Sequence, residues 1–190
     1  MIAMIVIALW VGFAVSWLAA AAWSSKVEKR LGMGSELWYR IVLIVGGIIF
    51  LVPAHGYEGP LRLWYVNRDE AWTCVGLIAL GFAFAWWARI YLGALWSGPI
   101  TTKADHRVVD RGPYGIVRHP IYTGILLAVF ATAALKGTML GIVATLLIVI
   151  GLWMKARLEE RWLRDQLGAD AYDDYRRRVP MLLPFGPKAA

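Results

Sequence analysis

Cysteine is nearly missing from this chain: Cys74 is the single one among 190 residues, and it sits inside an apolar run. An intrachain disulfide is therefore excluded, in keeping with a reducing cytoplasmic side. Histidine is scarce as well. His55, His106 and His119 are the three, and no two of them have metal-ligand spacing, so no metal site is expected. Internal repeats, low-complexity tracts and linkers are absent, which leaves one domain over residues 1–190. No Ser-His-Asp or Cys-His arrangement is visible, and no glycine-rich loop that would cradle a phosphate. Any chemistry would have to come from a bound reactive cofactor.

What the chain has in excess is apolar surface. It is 59% hydrophobic with 11 tryptophans, and its mean hydropathy is +0.57. A soluble domain of this size cannot hide that much, so the bilayer is the expected solvent. Five runs read as transmembrane helices, at 2–23, 37–54, 71–88, 121–135 and 139–154. The first is not a signal peptide, since no basic residue precedes it while Lys26, Lys29 and Arg30 follow. With five spans, 17 Lys and Arg fall on one side and Arg62, Arg68 and Lys136 on the other. That asymmetry predicts an outside N-terminus and a cytoplasmic C-terminus. The net charge of +7 is thereby read as topology, and nucleic acid is not an expected partner. Gly46-Gly47, and Gly76 with Gly81, are expected to let helices approach closely. Leu61 to Val66 would lie on the interface, and His55 nearby is an interfacial residue rather than a ligand.

Spans four and five are separated only by Lys136-Gly137-Thr138, which predicts a tight antiparallel hairpin. Each run is about 15 residues, or roughly 22 Å at 1.5 Å per residue, against a hydrocarbon core of about 30 Å. Counting from the turn, Arg118 lies about 18 residues before it and Lys155 about 18 after it. Arg118, His119 and Tyr122 should therefore neighbour Lys155, Arg157, Glu159 and Glu160 at one depth. Such charges at a hydrocarbon boundary must pair or bind something. A salt-bridge collar and a functional site both satisfy that requirement. His119-Pro120 reads as a helix start whose free N–H groups face an anion or carboxylate. The polar stretch WSGPITTKADHRVVDRGPYG, residues 96–115, is too long for a plain connector and suits a binding loop or lid. The tail from 155 to 190 begins as an amphipathic helix, stops near Gly168, resumes from Ala169 to Arg178 and ends at Pro180.

The stretch DHRVVDRGPYGIVRHPIYTG, followed after the hairpin by LEERWLRDQLGADAYDDYRRRVPMLLPF, resembles the isoprenylcysteine carboxyl methyltransferase family and its phospholipid N-methyltransferase relatives. The resemblance covers residues 92–185 and rests on GPY, VRHPxYxG, a Glu pair and GxxxYxxYxxxVP in order. It implies a five-span, all-α membrane methyltransferase that uses S-adenosylmethionine, with a cofactor loop at 96–120. The implied cofactor contacts are His106, Arg107, Val108, Val109, Tyr114, His119, Pro120, Tyr122 and Glu159. Arg118, Lys155 and Glu159 are the implied catalytic residues. Lys155 stands where the family usually carries an arginine on the acceptor side. A lysine is a point charge and cannot hold a carboxylate with two parallel bonds.

The function that follows is methyl transfer to a lipidic or small hydrophobic acceptor, an isoprenylcysteine-type carboxylate or a related group, at the cytoplasmic boundary. Three alternatives stand beside it: a phospholipid amine N-methyltransferase with Glu159 or Glu160 as base, an NADPH-dependent membrane reductase, and a non-enzymatic lipid-binding protein.

Overall fold

Each apolar run becomes a helix because a backbone surrounded by hydrocarbon must satisfy its own hydrogen bonds. The structure, a computed structural model, describes residues 1–23, 27–52, 61–103 and 108–188. His55, His106 and Arg107 lie outside the described residues. The elements are α1 (Ile2–Ala21), β1 (Val27–Arg30), α2 (Met33–Leu51), α3 (Arg68–Leu92), β2 (Thr101–Lys103), α4 (Pro113–Ile116), α5 (Pro120–Lys136), α6 (Met139–Leu167) and α7 (Ala169–Arg178). A short 3₁₀ turn, Gly93–Leu95, follows α3. Among the described residues, four helices are long and apolar enough to cross a membrane: Ile2–Ala21, Gly34–Leu51, Arg68–Leu95 and Met139–Leu167. The fourth expected span, α5, is apolar but shorter, at 17 residues.

Local chemistry sets the helix ends. Asn67 Oδ1 accepts from the backbone of Asp69 and Glu70 at 3.0 and 2.9 Å, and Glu70 returns the bond to the Asn67 N–H. This reciprocal cap starts α3. Pro120 opens α5, and Gly137 closes it in the left-handed conformation at φ 60°. Thr138 then caps α6, its hydroxyl accepting from the Gly141 N–H at 3.1 Å. The turn is clamped from outside by Leu61–Trp64. Leu63 N–H donates to the Gly137 carbonyl at 2.8 Å and Met139 N–H to the Leu61 carbonyl at 2.9 Å. The segment expected to rest on the interface is thus bonded to the hairpin turn.

Three expectations need correction. Spans four and five are adjacent, but their main packing is elsewhere: α5 runs along α3 and α6 along α2. The reason is small residues spaced four apart. A Cβ on Gly81 would come within 2.5 Å of the Gly124 carbonyl, and one on Gly124 within 2.8 Å of the Ala85 nitrogen. Gly46 packs on Leu147 and Ile148 of α6 in the same manner, whereas Gly47 and Gly76 face open space. Second, α6 does not stop at 154. It continues unbroken for 29 residues, about 44 Å at 1.5 Å per residue, which exceeds a hydrocarbon core of about 30 Å. Third, the loop at 96–115 is not irregular throughout: β2 pairs antiparallel with β1, and α4 lies within it.

Two charged side chains are fully buried: Arg89, which the charge count placed in a connection, and Glu36. Arg89 near the end of α3 lies between the rings of Trp23 and Trp96, 5.3 and 4.5 Å from their centroids. It donates to the carbonyls of Gly93, Ala20 and Trp23 at 2.7, 2.7 and 2.9 Å, tying the end of α1 to α3. Glu36 in the first turn of α2 pairs with Arg40 and accepts from the Ile100 N–H at 2.9 Å. That bond fixes the loop after α3 against α2.

Candidate functional site

Between the start of α5 and the charged part of α6, a buried ion network forms. Arg118 donates through Nε to Glu160 Oε1 at 2.7 Å, and both side chains are about 5% exposed or less. The Arg118 guanidinium also reaches the carbonyls of Arg176, at 3.0 Å, and Val179. His119 sits between two carboxylates, with Nε2 3.2 Å from Glu160 and Nδ1 3.6 Å from Glu159. Its ring stacks on Tyr122, the planes within 3° of each other. The Tyr122 hydroxyl is 2.7 Å from both oxygens of Glu159, where its single proton can serve either. Lys155 lies 3.7 Å from Glu159 and over the Tyr122 ring at 5.4 Å. It donates to the Gly98 carbonyl at 2.9 Å.

The tail closes over this network. The backbone N–H groups of Arg118 and His119 donate to Pro180 and Met181 at 2.8 and 3.1 Å, and the Thr123 hydroxyl donates to Leu182 at 2.6 Å. Of the N–H groups expected to be free at the start of α5, the tail takes that of the cap residue His119. Tyr175 of α7 donates its hydroxyl to the Tyr114 carbonyl at 2.8 Å. Burial pushes the phenols of Tyr114, Tyr172 and Tyr175 up, so all three remain protonated at neutral pH.

Beside the network lies a cavity of about 410 Å³. Val108, Val109, Tyr114, Arg118, His119, Pro120, Tyr122, Lys155 and Glu159 all line it. Val108 packs on the side of Tyr172 and Tyr175, while Val109 packs toward Ala88, Tyr114 and Ile121. The lining is of two chemical kinds. His119, Tyr122, Lys155 and Glu159 are polar, whereas Trp17, Leu43, Leu92, Ile125 and Leu152, one from each of five helices, are apolar.

Of the residues gathered by counting from the hairpin turn, Arg157 takes no part in the ion network. It faces outward, its guanidinium 5.8 Å from the Trp153 ring. Glu160 does not line the cavity; its oxygens are held by Arg118, His119 and, at 3.4 Å, Arg176. Trp96 was not singled out in the sequence, whereas Gly98 was marked with Pro99 by the Gly-Pro content of the loop. Among the described residues no group of three or more His, Cys, Asp and Glu side chains stands together as metal ligands would.

The sequence matches the phospholipid methyltransferase family over residues 70–170, which is more than half of the 190. The chain belongs to this family. The matched segment runs from the start of α3 into α7 and contains His119, Tyr122, Lys155 and Glu159. A methanethiol S-methyltransferase 2 of Bradyrhizobium diazoefficiens is 45% identical over 139 residues, 66% of this chain and 51% of the relative. A protein-S-isoprenylcysteine O-methyltransferase of Schizosaccharomyces pombe is 32% identical over 121 residues, 60% of this chain and 50% of the relative. A cobalt-zinc-cadmium resistance protein, CzcN, of Cupriavidus metallidurans is 29% identical over 119 residues, 61% of this chain and 53% of the relative. This family member spans about half the length of the curated relatives it matches.

Proposed function

We propose that the chain is a membrane methyltransferase that takes its methyl group from S-adenosylmethionine and passes it to a lipidic or small hydrophobic acceptor. The observation that carries this reading is one cavity lined by both polar and apolar side chains. Its volume of about 410 Å³ suits a small-molecule cofactor site, and its polar residues offer a carboxylate, a lysine and stacked aromatic rings within one helical turn of each other. The bound cofactor would supply an already activated methyl on a sulfonium sulfur.

The residues have separable tasks. Glu159 presents a carboxylate held in place by Tyr122, which suits a cation. Glu160 lies outside the cavity, held by Arg118 and His119, whereas Glu159 lines it and is the carboxylate a ligand can reach. Val108, Val109, Tyr114 and Pro120 form the apolar walls against which a flat ring system would pack. Lys155 is engaged by Gly98 and Glu159 and offers no two-pronged clamp for a carboxylate. A thiolate or a carboxylate held by other means fits these polar residues better than a tightly clamped anion. Trp17, Leu43, Leu92, Ile125 and Leu152 would receive the apolar body of the acceptor from the bilayer side, excluding water from the transfer. The skew of 17 basic residues against 3 supports a multi-pass arrangement with the N-terminus outside and this site at the cytoplasmic boundary.

Titration calorimetry on the detergent-purified chain tests the proposal. Saturable binding of S-adenosylhomocysteine is expected, with no binding of NADPH; the reverse pattern would move the chain to the reductases. Glu159→Gln sharpens the test. Removing the carboxylate should weaken S-adenosylmethionine, which carries the sulfonium charge, about tenfold more than S-adenosylhomocysteine, which lacks it. Equal weakening of both would assign Glu159 a purely structural role.

A further inference from the structure

Away from the cavity, α6 shows a second face. Val143, Leu146, Ile150 and Trp153 are all exposed, and Arg157, Arg161 and Arg164 continue the same exposed line toward the C-terminus. The spacing of three and four places them on one side of the helix. Val143 to Trp153 is ten residues, about 15 Å at 1.5 Å per residue, which is half of a hydrocarbon core of about 30 Å. The apolar part of the stripe is therefore one leaflet long. Trp153 stands at its end, the position of an interfacial indole.

Directly beyond Trp153 is a depression of about 200 Å³ lined by Arg157, Arg161, Arg164, Arg176 and Glu160. Its charges do not balance internally. Arg164 and Arg176 share Asp173, at 2.9 and 3.0 Å, and Glu160 is already held by Arg118 at 2.7 Å. Among the described residues no carboxylate pairs with Arg157 or Arg161. Two planar guanidinium groups one turn apart, without counter-ions, match the oxygens of a phosphate.

We infer that this face of α6 binds an anionic phospholipid, with the phosphate held by Arg157 and Arg161 and an acyl chain lying along Trp153, Ile150, Leu146 and Val143. A soluble phosphate compound would use the arginines but not the apolar stripe. The joining of a cationic depression to a run of one leaflet's length favours the lipid. The inference needs α6 to cross the bilayer but not the methyltransferase reading, since none of these four apolar residues or two arginines touches the cavity.

Native mass spectrometry of the delipidated full chain in detergent tests it. Phosphatidylglycerol should bind saturably as one molecule at low concentration, and phosphatidylcholine about thirtyfold more weakly. Arg157→Gln with Arg161→Gln should lower phosphatidylglycerol affinity about thirtyfold, or about fivefold for each arginine. Arg157→Lys with Arg161→Lys keeps the charge without the planar fork and should retain affinity between that of the parent and the glutamine pair, which guards against a folding defect in that pair. Trp153→Ala should weaken the lipid, and glycerol 3-phosphate should not displace it at equal concentration. Equal binding of both lipids, or glutamine variants that bind like the parent, would reduce the arginines to ordinary snorkelling charges and overturn the site. Displacement by glycerol 3-phosphate would make it a soluble-anion site and overturn the lipid. Calorimetry with S-adenosylhomocysteine on the same variants keeps a failure here distinct from a failure at the cavity.

Discussion

Gly124→Val is expected to yield no folded protein. At this position α5 crosses α3 with backbone nearly against backbone. A Cβ would stand 2.8 Å from the Ala85 nitrogen and 3.0 Å from the Ala85 Cβ. Neither atom belongs to a flexible side chain, so the helices themselves must separate. Overpacking a tight core costs about 1–3 kcal/mol and at times more, and a branched side chain between two backbones belongs at or above the top of that range. Separation would also carry Tyr122, two residues earlier on α5, away from Glu159. Gly76→Ala and Gly47→Ala are the controls, because a Cβ at either position meets nothing within 4 Å. Size-exclusion recovery in detergent reads the difference. A well-folded Gly124→Val protein would mean that the α3–α5 crossing is not the bundle's organising contact.

Arg118→Ala should cost about 3–5 kcal/mol of stability, the usual penalty for removing one partner of a buried ion pair. That is a large share of a typical total of about 5–15 kcal/mol. The loss has three sources. Glu160 keeps only His119 and the 3.4 Å contact with Arg176, and the carbonyls of Arg176 and Val179 lose a charged donor. The Pro180–Leu182 tail, which hydrogen-bonds to the start of α5, loses a neighbouring anchor. Arg118→Lys should recover part of the loss, since an ammonium can meet Glu160 but cannot also span both carbonyls. Thermal unfolding of the detergent-solubilised variants distinguishes these outcomes. A shift of a degree or two for Arg118→Ala would place Arg118 in an exposed, water-screened pair instead.

The collar was legible from sequence because it follows from arithmetic on a hairpin. Arg118 and Lys155 lie nearly equal distances from a three-residue turn, so antiparallel helices bring them to one depth whatever else they pack on. The choice of partner helices was less accessible. Hydropathy marks each run as a helix but does not say which two adjoin. Gly81 with Ala85 and Gly124 with Ala128 carried that information in their spacing of four, whereas Gly76 with Gly81, spaced five apart, do not share a face. Arg89 was counted among the loop charges because nothing local reveals burial. Its two terminal nitrogens reach carbonyls of the distant α1 end and of Gly93, and the equally buried Glu36 is met by a loop more than sixty residues away. Arg157 was grouped with Lys155 by depth alone, but two residues along a helix rotate a side chain by about 200°, which turns it outward.

The short α5 has a consequence for where such a protein can reside. Its 17 residues span about 25 Å at 1.5 Å per residue, several ångströms less than an average hydrocarbon layer. Arg118 and His119 at one end and the clamped turn at the other are too polar to be drawn inward. Of the α5 residues only Phe130 is exposed, so lipid meets the helix along a narrow strip, where compression would cost fractions of a kcal/mol per ångström. Thicker bilayers would increase that strain and thinner ones relieve it, which biases the protein toward thin membranes without barring it from thick ones.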